Sequence, residues 1–224
     1  MRIKVAKMLR YGCSIRSPEQ AEYVIKHNYD YIEMNLCSLA KLSREEFLKF
    51  QKRIDVSPIK IEVFNLLLPL DNSIKIVGNE VDIKQQREYL DIAFERAHLL
   101  GCNLMVFGSG RSRAVPEGFS PTKAYEQLID FMKLLMEYAD DKGITMVIEP
   151  ICKKEVDNPV RTIPDAIELA KAVNHPNLFA LCDIYHMYYE NEPLSNITEA
   201  GDWIKHAHIS GVDAERKYPT LEDG

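Results

Sequence analysis

The chain has 224 residues, of which 46% are hydrophobic and 28% are charged, a composition typical of a folded globular protein rather than a disordered or fibrous one. Its formal net charge of −6 disfavours non-specific binding to nucleic-acid phosphates. No apolar run reaches the ~18 residues that a membrane span needs, and the basic N-terminus lacks the apolar block of a signal peptide. We therefore expect a single domain over residues 1–224, without a nucleic-acid or membrane partner.

The cysteines indicate a reducing compartment. They are odd in number, form no CxxC pair, and most lie in apolar, strand-like runs: Cys13, Cys37, Cys102, Cys152 and Cys182. This usage argues against a disulfide framework and against a thiolate zinc site. It predicts reduced thiols in a cytoplasmic protein.

In the first half of the chain, short apolar runs alternate with helical segments. Ser17-Pro18-Glu19 combines a capping serine, a proline in the first turn and an acid, and Ser43 begins a capping box. A later segment has apolar residues at helical spacing and ends before Gly101. The predicted elements, in order, are a strand over 7–14, a helix from 17, a strand over 31–36, a helix from 43, a strand over 59–68 and a helix over 82–100.

The second half of the chain repeats this alternation. A polar loop that contains glycines follows the fourth strand and extends to Ser120, and Gly143 ends the helix that comes next. The predicted elements are a strand over 103–107, a helix over 121–142, a strand over 144–148, a helix over 163–173, a strand over 178–182, a helix over 197–203 and a strand over 204–209.

Near-continuously apolar strands, each followed by a helix, predict an α/β fold with a parallel sheet. A doubly wound open sheet and a closed (β/α)₈ TIM barrel both fit this pattern. Seven units of about 30 residues favour the barrel, and Cys13-Ser14-Ile15-Arg16 is not the Gly-rich nucleotide turn of an open sheet. We expect a TIM barrel that is incomplete at its C-terminal end, because the sequence stops in a polar loop before an eighth strand.

Polar residues lie where the fifth, sixth and seventh strands end. Glu149 follows the fifth strand, Asp183 follows the sixth, and His206 and His208 lie on one face of the seventh. Ligands bind at the carboxyl ends of strands in parallel α/β folds, so these groups face one rim. Oxygen and nitrogen donors without thiolate suit Mn²⁺, Mg²⁺, Co²⁺ or Zn²⁺. Taken singly, the acids also fit helix caps or ion pairs, and the histidines fit structural roles.

The ordered motifs of the chain resemble those of the xylose isomerase-like barrel superfamily, and most closely those of its sugar phosphate isomerase/epimerase branch. The resemblance covers the chain from its first to its seventh strand. It is carried by Val147-Ile148-Glu149-Pro150, Asp183-x-x-His186, His206-x-His208, and the loop Phe107-Gly108-Ser109-Gly110 with Arg111 and Arg113.

This resemblance implies a metal-dependent enzyme that moves a proton through an enediolate. It implies Glu149, Asp183 and His208 as metal ligands, with Glu149 also acting as a catalytic acid/base. The family's fourth ligand, also its second acid/base, is a Glu on an eighth strand, so we expect this chain to lack one ligand and to be inactive or only partly competent. The implied substrate contacts are Glu155, His186 and Arg216.

Two questions remain open from the sequence. Arg111 and Arg113 could bind a phosphate or carboxylate of the substrate, or could pair with nearby acids. The predicted activity is that of a sugar or sugar phosphate isomerase or epimerase, and a homo-oligomer is among the expected partners. The alternatives are an inosose dehydratase-like lyase, an AP endonuclease IV-like enzyme, for which earlier strands offer no histidine, and a non-catalytic sugar-binding barrel.

Overall fold

The structure, a computed structural model, describes residues 9–213 of the chain. Its strands are Gly12–Ile15 (β1), Tyr31–Asn35 (β2), Ile61–Asn65 (β3), Leu104–Phe107 (β4), Thr145–Ile148 (β5), Leu178–Asp183 (β6) and Ile204–His208 (β7). Its α-helices are Ala21–Lys26 (α1), Leu36–Ala40 (α2), Arg44–Asp55 (α3), Ile83–Leu99 (α4), Pro121–Lys142 (α5), Ile163–Val173 (α6), Ile184–Glu190 (α7) and Ser195–Ala200 (α8). Short 3₁₀ helices lie at Pro18–Gln20, Gly110–Arg113 and Gly201–Trp203.

The seven strands form one parallel sheet in the order β1 to β7, so each strand pairs with its neighbour in the sequence. The sheet curls, with the helices outside it, and this confirms the predicted α/β, TIM-barrel-like fold. Within residues 9–213 there is no eighth strand, and β1 and β7 are the edge strands.

The first strand is shorter than the predicted run over 7–14. Pairing with β2 begins at Gly12, opposite Tyr31. Just before it, Arg10 and Tyr11 are exposed: the Arg10 guanidinium pairs with Glu62, and the Tyr11 N–H donates to the Asp30 carboxylate. The Tyr11 carbonyl oxygen accepts from the Asp30 N–H at 2.8 Å, but the Tyr11 N–H is bound by a side chain, so the regular strand pairing begins only at Gly12. The predicted positions 7 and 8 lie outside the described residues.

The middle of the sheet encloses a layer of apolar side chains. It consists of Val63, Val106, Val147 and Leu181, from four consecutive strands, with the Tyr31 ring packed against them. A Cβ at Gly12 would overlap that ring, so a glycine is required there for the close approach of β1. We call these four aliphatic residues the apolar layer.

A larger core lies between the sheet and the helices. The longest helix, α5, begins at the cap Ser120, whose hydroxyl accepts from the Lys123 N–H at 3.4 Å, and ends at Gly143, which has a φ of 66°. Its buried side chains recur every three or four residues, so one face of the helix packs inward: Ala124, Leu128, Phe131, Met132, Leu135 and Ala139. Each fully buried large side chain of this kind stabilises the fold by about 1.5–3 kcal/mol.

The loops after β3 and β4 bind one another at the carboxyl rim of the sheet. Ser109, in the left-handed region at φ 41°, accepts from the Leu68 N–H at 3.0 Å through its hydroxyl. The Ile76 N–H donates to the Ser112 carbonyl oxygen at 3.0 Å. All five cysteines are buried, and none forms a disulfide within residues 9–213. Within residues 9–213, no helix is long and apolar enough to cross a bilayer.

Candidate metal centre at the carboxyl rim

Glu149 directly follows β5 and is held by its backbone. Its N–H donates to the Phe107 carbonyl oxygen at 3.0 Å, and its own carbonyl oxygen accepts from Arg113 Nη2 at 2.7 Å. The carboxylate passes close over Gly108, where a Cβ would overlap Glu149 Oε2. The neighbouring strand end therefore leaves room for this carboxylate only because residue 108 has no side chain.

Asp183 is the last residue of β6 and also the N-cap of α7. Its Oδ1 accepts from the Tyr185 N–H at 2.8 Å and from the His186 N–H at 3.3 Å. The helix cap that the sequence allowed as an alternative is therefore present. Oδ2 faces His208 Nδ1 at 3.6 Å, so the capping role leaves this oxygen directed at the imidazole.

His208, at the end of β7, connects the site. Its Nδ1 lies 2.8 Å from Glu149 Oε1 and its Nε2 lies 2.9 Å from Glu33 Oε1. The side chain is 20% exposed, whereas that of Asp183 is fully buried. The structure thus brings Glu149, Asp183 and His208 together, as the sequence predicts.

Sequence reasoning missed Glu33. It lies on β2 with a side chain that is 5% exposed, and its second oxygen, Oε2, is 2.8 Å from His206 Nε2. A signal was present, because a glutamate inside an apolar strand must find a partner when it is buried. That partner lies 173 residues away in the sequence, so only the curled sheet reveals it.

Two further polar side chains extend the cluster onto β1 and β3. Asn65 Nδ2 donates to Glu33 Oε1 at 2.5 Å and to the Ser14 hydroxyl at 2.9 Å. Asn65 Oδ1 is buried and has no hydrogen-bond partner within the described part of the chain. A buried acceptor of this kind is an atom that a water molecule or a substrate hydroxyl would satisfy.

The charges of the cluster shift the pKa values of two of its members. Burial alone would lower the pKa of His208, but Glu33 and Glu149 outweigh it and hold that pKa well above its usual value. Burial alone would raise the pKa of Glu33, but His208 and His206 lower it well below its usual value. Without an ion, an imidazolium therefore balances part of the negative charge of the carboxylates.

The residues fit a divalent cation. Metal–ligand bonds of ~2.1 Å separate neighbouring ligand atoms by roughly 3.0–3.5 Å. The distances from His208 Nδ1, 2.8 Å to Glu149 and 3.6 Å to Asp183, bracket that spacing. Ligand atoms of the three side chains all lie within 4.8 Å of one another, as do those of Glu33, His206 and His208. Three carboxylates near one imidazole also leave a negative charge that a divalent cation would neutralise.

His186 belongs to the same region. It is buried in α7, where Nδ1 lies 3.3 Å from both the Cys152 N–H and the Cys152 sulfur. Because the backbone N–H donates to Nδ1, we assign the ring proton to Nε2, which lies 3.9 Å from Asp183 Oδ2. This histidine is therefore placed beside a predicted metal ligand.

The other predicted contacts lie farther out. Glu155 is exposed in the loop after β5, and its N–H donates to the Cys152 carbonyl oxygen at 3.0 Å. Arg111 is exposed and donates to the Leu70 carbonyl oxygen at 3.1 Å, which joins it to the loop after β3. The predicted contact Arg216 lies outside the described residues.

Arg113 is fully buried and does not pair with an acid within the described residues. Nη2 donates to the Glu149 and Val160 carbonyl oxygens, at 2.7 and 3.4 Å, while Nε and Nη1 have no hydrogen-bond partner within residues 9–213. Burial lowers the pKa of Arg113 to about 10, against the opposing effect of the Glu149 charge. The guanidinium therefore stays charged at neutral pH and supports the strand end that carries Glu149.

Comparisons with known proteins agree with this architecture. A family model described as xylose isomerase-like TIM barrel matches residues 21–220. No curated protein sequence matches the chain significantly.

Solved structures share the fold at low identity. A Methylomonas sp. D-allulose 3-epimerase in complex with D-allulose has a TM-score of 0.76 and 22% identity, covering 91% of this chain and 72% of that one. An AP endonuclease, family 2, from Brucella melitensis has a TM-score of 0.74 and 16% identity, covering 96% and 86%. The probable 3-DHS dehydratase AsbF from Bacillus anthracis has a TM-score of 0.72 and 16% identity, covering 91% and 73%. These three proteins are named for three different chemistries, so the likenesses establish the fold alone.

Proposed function

Because the chain belongs to the xylose isomerase-like TIM barrel family, we propose that it is a metal-dependent isomerase or epimerase of a small sugar or sugar phosphate. One observation carries the proposal: Glu149, Asp183 and His208 converge from the ends of three consecutive strands, with His208 Nδ1 facing both carboxylates. Such a set at the carboxyl rim supports chemistry on a bound ligand rather than stability.

Glu149, Asp183 and His208 would hold the ion, which is one of Mn²⁺, Mg²⁺, Co²⁺ or Zn²⁺. When bound, the ion supplies a Lewis acid that favours negative charge on the oxygens of a sugar. Asp183 is fixed for this role by the cap of α7, and Glu149 is fixed by its backbone contacts to Phe107 and Arg113.

Glu149 is the proposed acid/base. Its carboxylate would remove the proton from the carbon next to the substrate carbonyl, which leaves the substrate as an enediolate. The family's second acid/base, a Glu on an eighth strand, would return a proton to the opposite face of that carbon for epimerisation, or to the adjacent carbon for isomerisation. The side chain is 13% exposed, so it is largely shielded from water and still open to a ligand. Because residue 108 is a glycine, the Glu149 carboxylate has room beside the end of β4.

The substrate contacts complete the proposal. His186, whose Nε2 lies 3.9 Å from Asp183 Oδ2, would contact a substrate hydroxyl. Glu155, Arg111 and Arg216 are proposed farther along the substrate. Buried cysteines without a disulfide among the described residues are consistent with a cytoplasmic location, which we propose together with a single domain over residues 1–224 and a homo-oligomer.

Dehydration is the second candidate reaction, because a lyase begins with the same removal of a proton by Glu149. An endonuclease is less well supported, since β3 ends in Asn65, Gly108 follows β4, and neither position supplies a histidine. A sugar-binding barrel without turnover would keep the metal ligands and show no proton exchange.

The test follows deuterium from solvent into ketoses, phosphorylated and not, incubated with the full chain and Mn²⁺. We expect metal-dependent exchange at the carbon next to the carbonyl. Glu149→Gln should lower its rate by about 10²–10⁴-fold. Glu168→Gln, an exposed acid on α6, should leave the rate unchanged. Undiminished exchange in Glu149→Gln would contradict the proposal, whereas loss of water from the sugar would identify the lyase.

A further inference from the structure

Glu33 spans the interior of the curled sheet. It lies on β2, and its two carboxylate oxygens bind two histidines of β7, at 2.8 Å to His206 and 2.9 Å to His208. Strands β2 and β7 are separated by four other strands in the sheet order, so these bonds cross the interior rather than follow the sheet. Within the proposed function, this acid has no role as a ligand.

The position of Glu33 is fixed from several sides. Asn65 donates to the same oxygen that faces His208, and the Ser14 hydroxyl holds Asn65 from β1. His206 occupies the other oxygen. The carboxylate therefore cannot rotate away from His208 without breaking contacts to β3 and β7.

This fixed carboxylate determines which nitrogen of His208 carries a proton when the other binds a metal. A carboxylate accepts hydrogen bonds, so His208 Nε2, at 2.9 Å from Glu33 Oε1, must be protonated. Nδ1 faces Glu149 and Asp183, so it is the nitrogen that would give up its proton and offer a lone pair when an ion binds there. A carboxylate on the far side of a ligating imidazole also fixes the orientation of the ring and makes it a better donor.

We propose that Glu33 is a positioning residue that holds His208 in the Nε2–H tautomer, and in the ring orientation, that a cation bound by Glu149, Asp183 and His208 Nδ1 requires. The inference rests on the proposed metal site. His206 takes part by binding the second oxygen of Glu33.

Binding of a second cation by Glu33 and the two histidines would give a different experimental result. Glu33, His206 and His208 also lie close enough to bind a cation themselves. His208 would then present Nε2 as a ligand, and both of its nitrogens could bind ions only as an imidazolate. A second bound ion would thus replace the hydrogen bond on which the positioning role depends.

The variants test the carboxylate and its replacement by an amide. Glu33→Ala removes the acceptor, whereas Glu33→Gln keeps an oxygen that can accept from His208 Nε2–H. Glu62→Gln is the matched control, because Glu62 is a strand glutamate that pairs with Arg10 at the surface. Zn²⁺ and Mn²⁺ affinity and stoichiometry are measured calorimetrically on the full chain at one pH.

We expect one ion per chain, affinity about 10–100-fold weaker in Glu33→Ala, partial recovery in Glu33→Gln, and an unchanged value in Glu62→Gln. Nitrogen-15 NMR of the Zn²⁺-loaded wild-type chain should show His208 protonated at Nε2, and this measurement needs no variant to fold. Wild-type affinity in Glu33→Ala, a proton on Nδ1, or two ions per chain would overturn the positioning role alone. A wild-type chain that binds neither ion would overturn the proposed metal site and this role together.

Discussion

Two sets of side chains fill the interior of the sheet, and they differ in chemistry although they stand on the same strands. In β5, Val147 belongs to the apolar layer and Glu149 follows two residues later; in β6, Leu181 is followed in the same way by Asp183. Because side chains alternate between the two faces of a strand, both members of each pair face inward. One strand thus supplies packing in its middle and a functional group at its end.

The two sets contribute differently to stability. The apolar layer removes aliphatic surface from water, which stabilises the fold in proportion to the area buried. The charged set, which consists of Glu33, Glu149, Asp183 and His208, pairs charges at a cost in desolvation, so its net contribution to folding is small. Substitutions in the apolar layer should therefore lower the stability of the fold, and substitutions in the charged set should weaken ion binding.

The largest effect on folding is expected from the apolar layer. Leu181→Ala should lower the free energy of unfolding by about 2–5 kcal/mol, because the fully buried side chain leaves a cavity. Leu181→Met, which nearly conserves volume, should cost less than about 1.5 kcal/mol. Urea unfolding measures the free energy of unfolding of both variants. Equal stabilities of the Ala and Met variants would contradict a packed layer.

The charged set should show the opposite response. Asp183→Asn keeps an oxygen for the cap of α7 but removes the ligand charge facing His208. We expect Mn²⁺ affinity to fall by more than about 100-fold, beyond the loss that an outer partner would cause. The unfolding midpoint of the ion-free chain should change little. Loss of Mn²⁺ affinity together with a lower unfolding midpoint of the ion-free chain would show that Asp183 acts through the fold.

Two glycine substitutions compare the sets directly. Gly108→Ala meets only the end of the flexible Glu149 side chain, so it should weaken ion binding about tenfold and leave stability nearly unchanged. Gly12→Ala meets the Tyr31 ring beside the apolar layer, so it should cost about 1–3 kcal/mol of stability. Thermal unfolding and calorimetric titration of both variants check the pair. Reversed effects would contradict the assignment of the two sets.

The smallest effect concerns a buried acid outside both sets. Glu192 Oε1 accepts from the Ile163 N–H and Asn196, each at 2.8 Å, and burial raises the pKa of this carboxyl. Because the pKa of Glu192 is raised in the folded state, its contribution to the stability of the fold is fully present below the pKa of the unfolded chain. That contribution is lost as the pH rises through the pKa of the folded chain. Glu192→Gln, which stays neutral, should thus stabilise the fold by a few tenths of a kcal/mol at pH 7, discounted for solvent screening. The stability gain of Glu192→Gln should vanish near pH 4 in thermal unfolding scans. A gain that grows as the pH falls would contradict the raised pKa of Glu192.

The sequence predicts the parts of the site that depend on local position. Glu149 and Asp183 directly follow or end apolar runs, and His208 lies in a strand with alternating histidines. Since parallel strands deliver their ends to one rim, the convergence of these residues follows from the fold class alone.

The rest of the site depends on contacts between distant strands. Glu33 meets His206 and His208 only because the sheet curls, and Asn65 reaches Glu33 only through the register of β2 and β3. The hydrophobic pattern of the strands sets their register, but here the register shifts between Ile32 and Glu33, directly before the acid, and the sequence carries no signal for that shift. The short helices Leu36–Ala40 and Ile184–Glu190 were missed for a related reason, because each starts directly at a strand end and has only one or two turns.

The convergence of Glu149, Asp183 and His208 on one cation is tested most directly by anomalous X-ray diffraction from crystals of the full chain grown with Mn²⁺. The account predicts a single strong manganese peak about 2.0–2.3 Å from Glu149, Asp183 and His208 Nδ1, with His208 Nε2 still bound to Glu33. A peak between Glu33 and His206, or crystals of the manganese-treated chain without a peak at the rim, would contradict it.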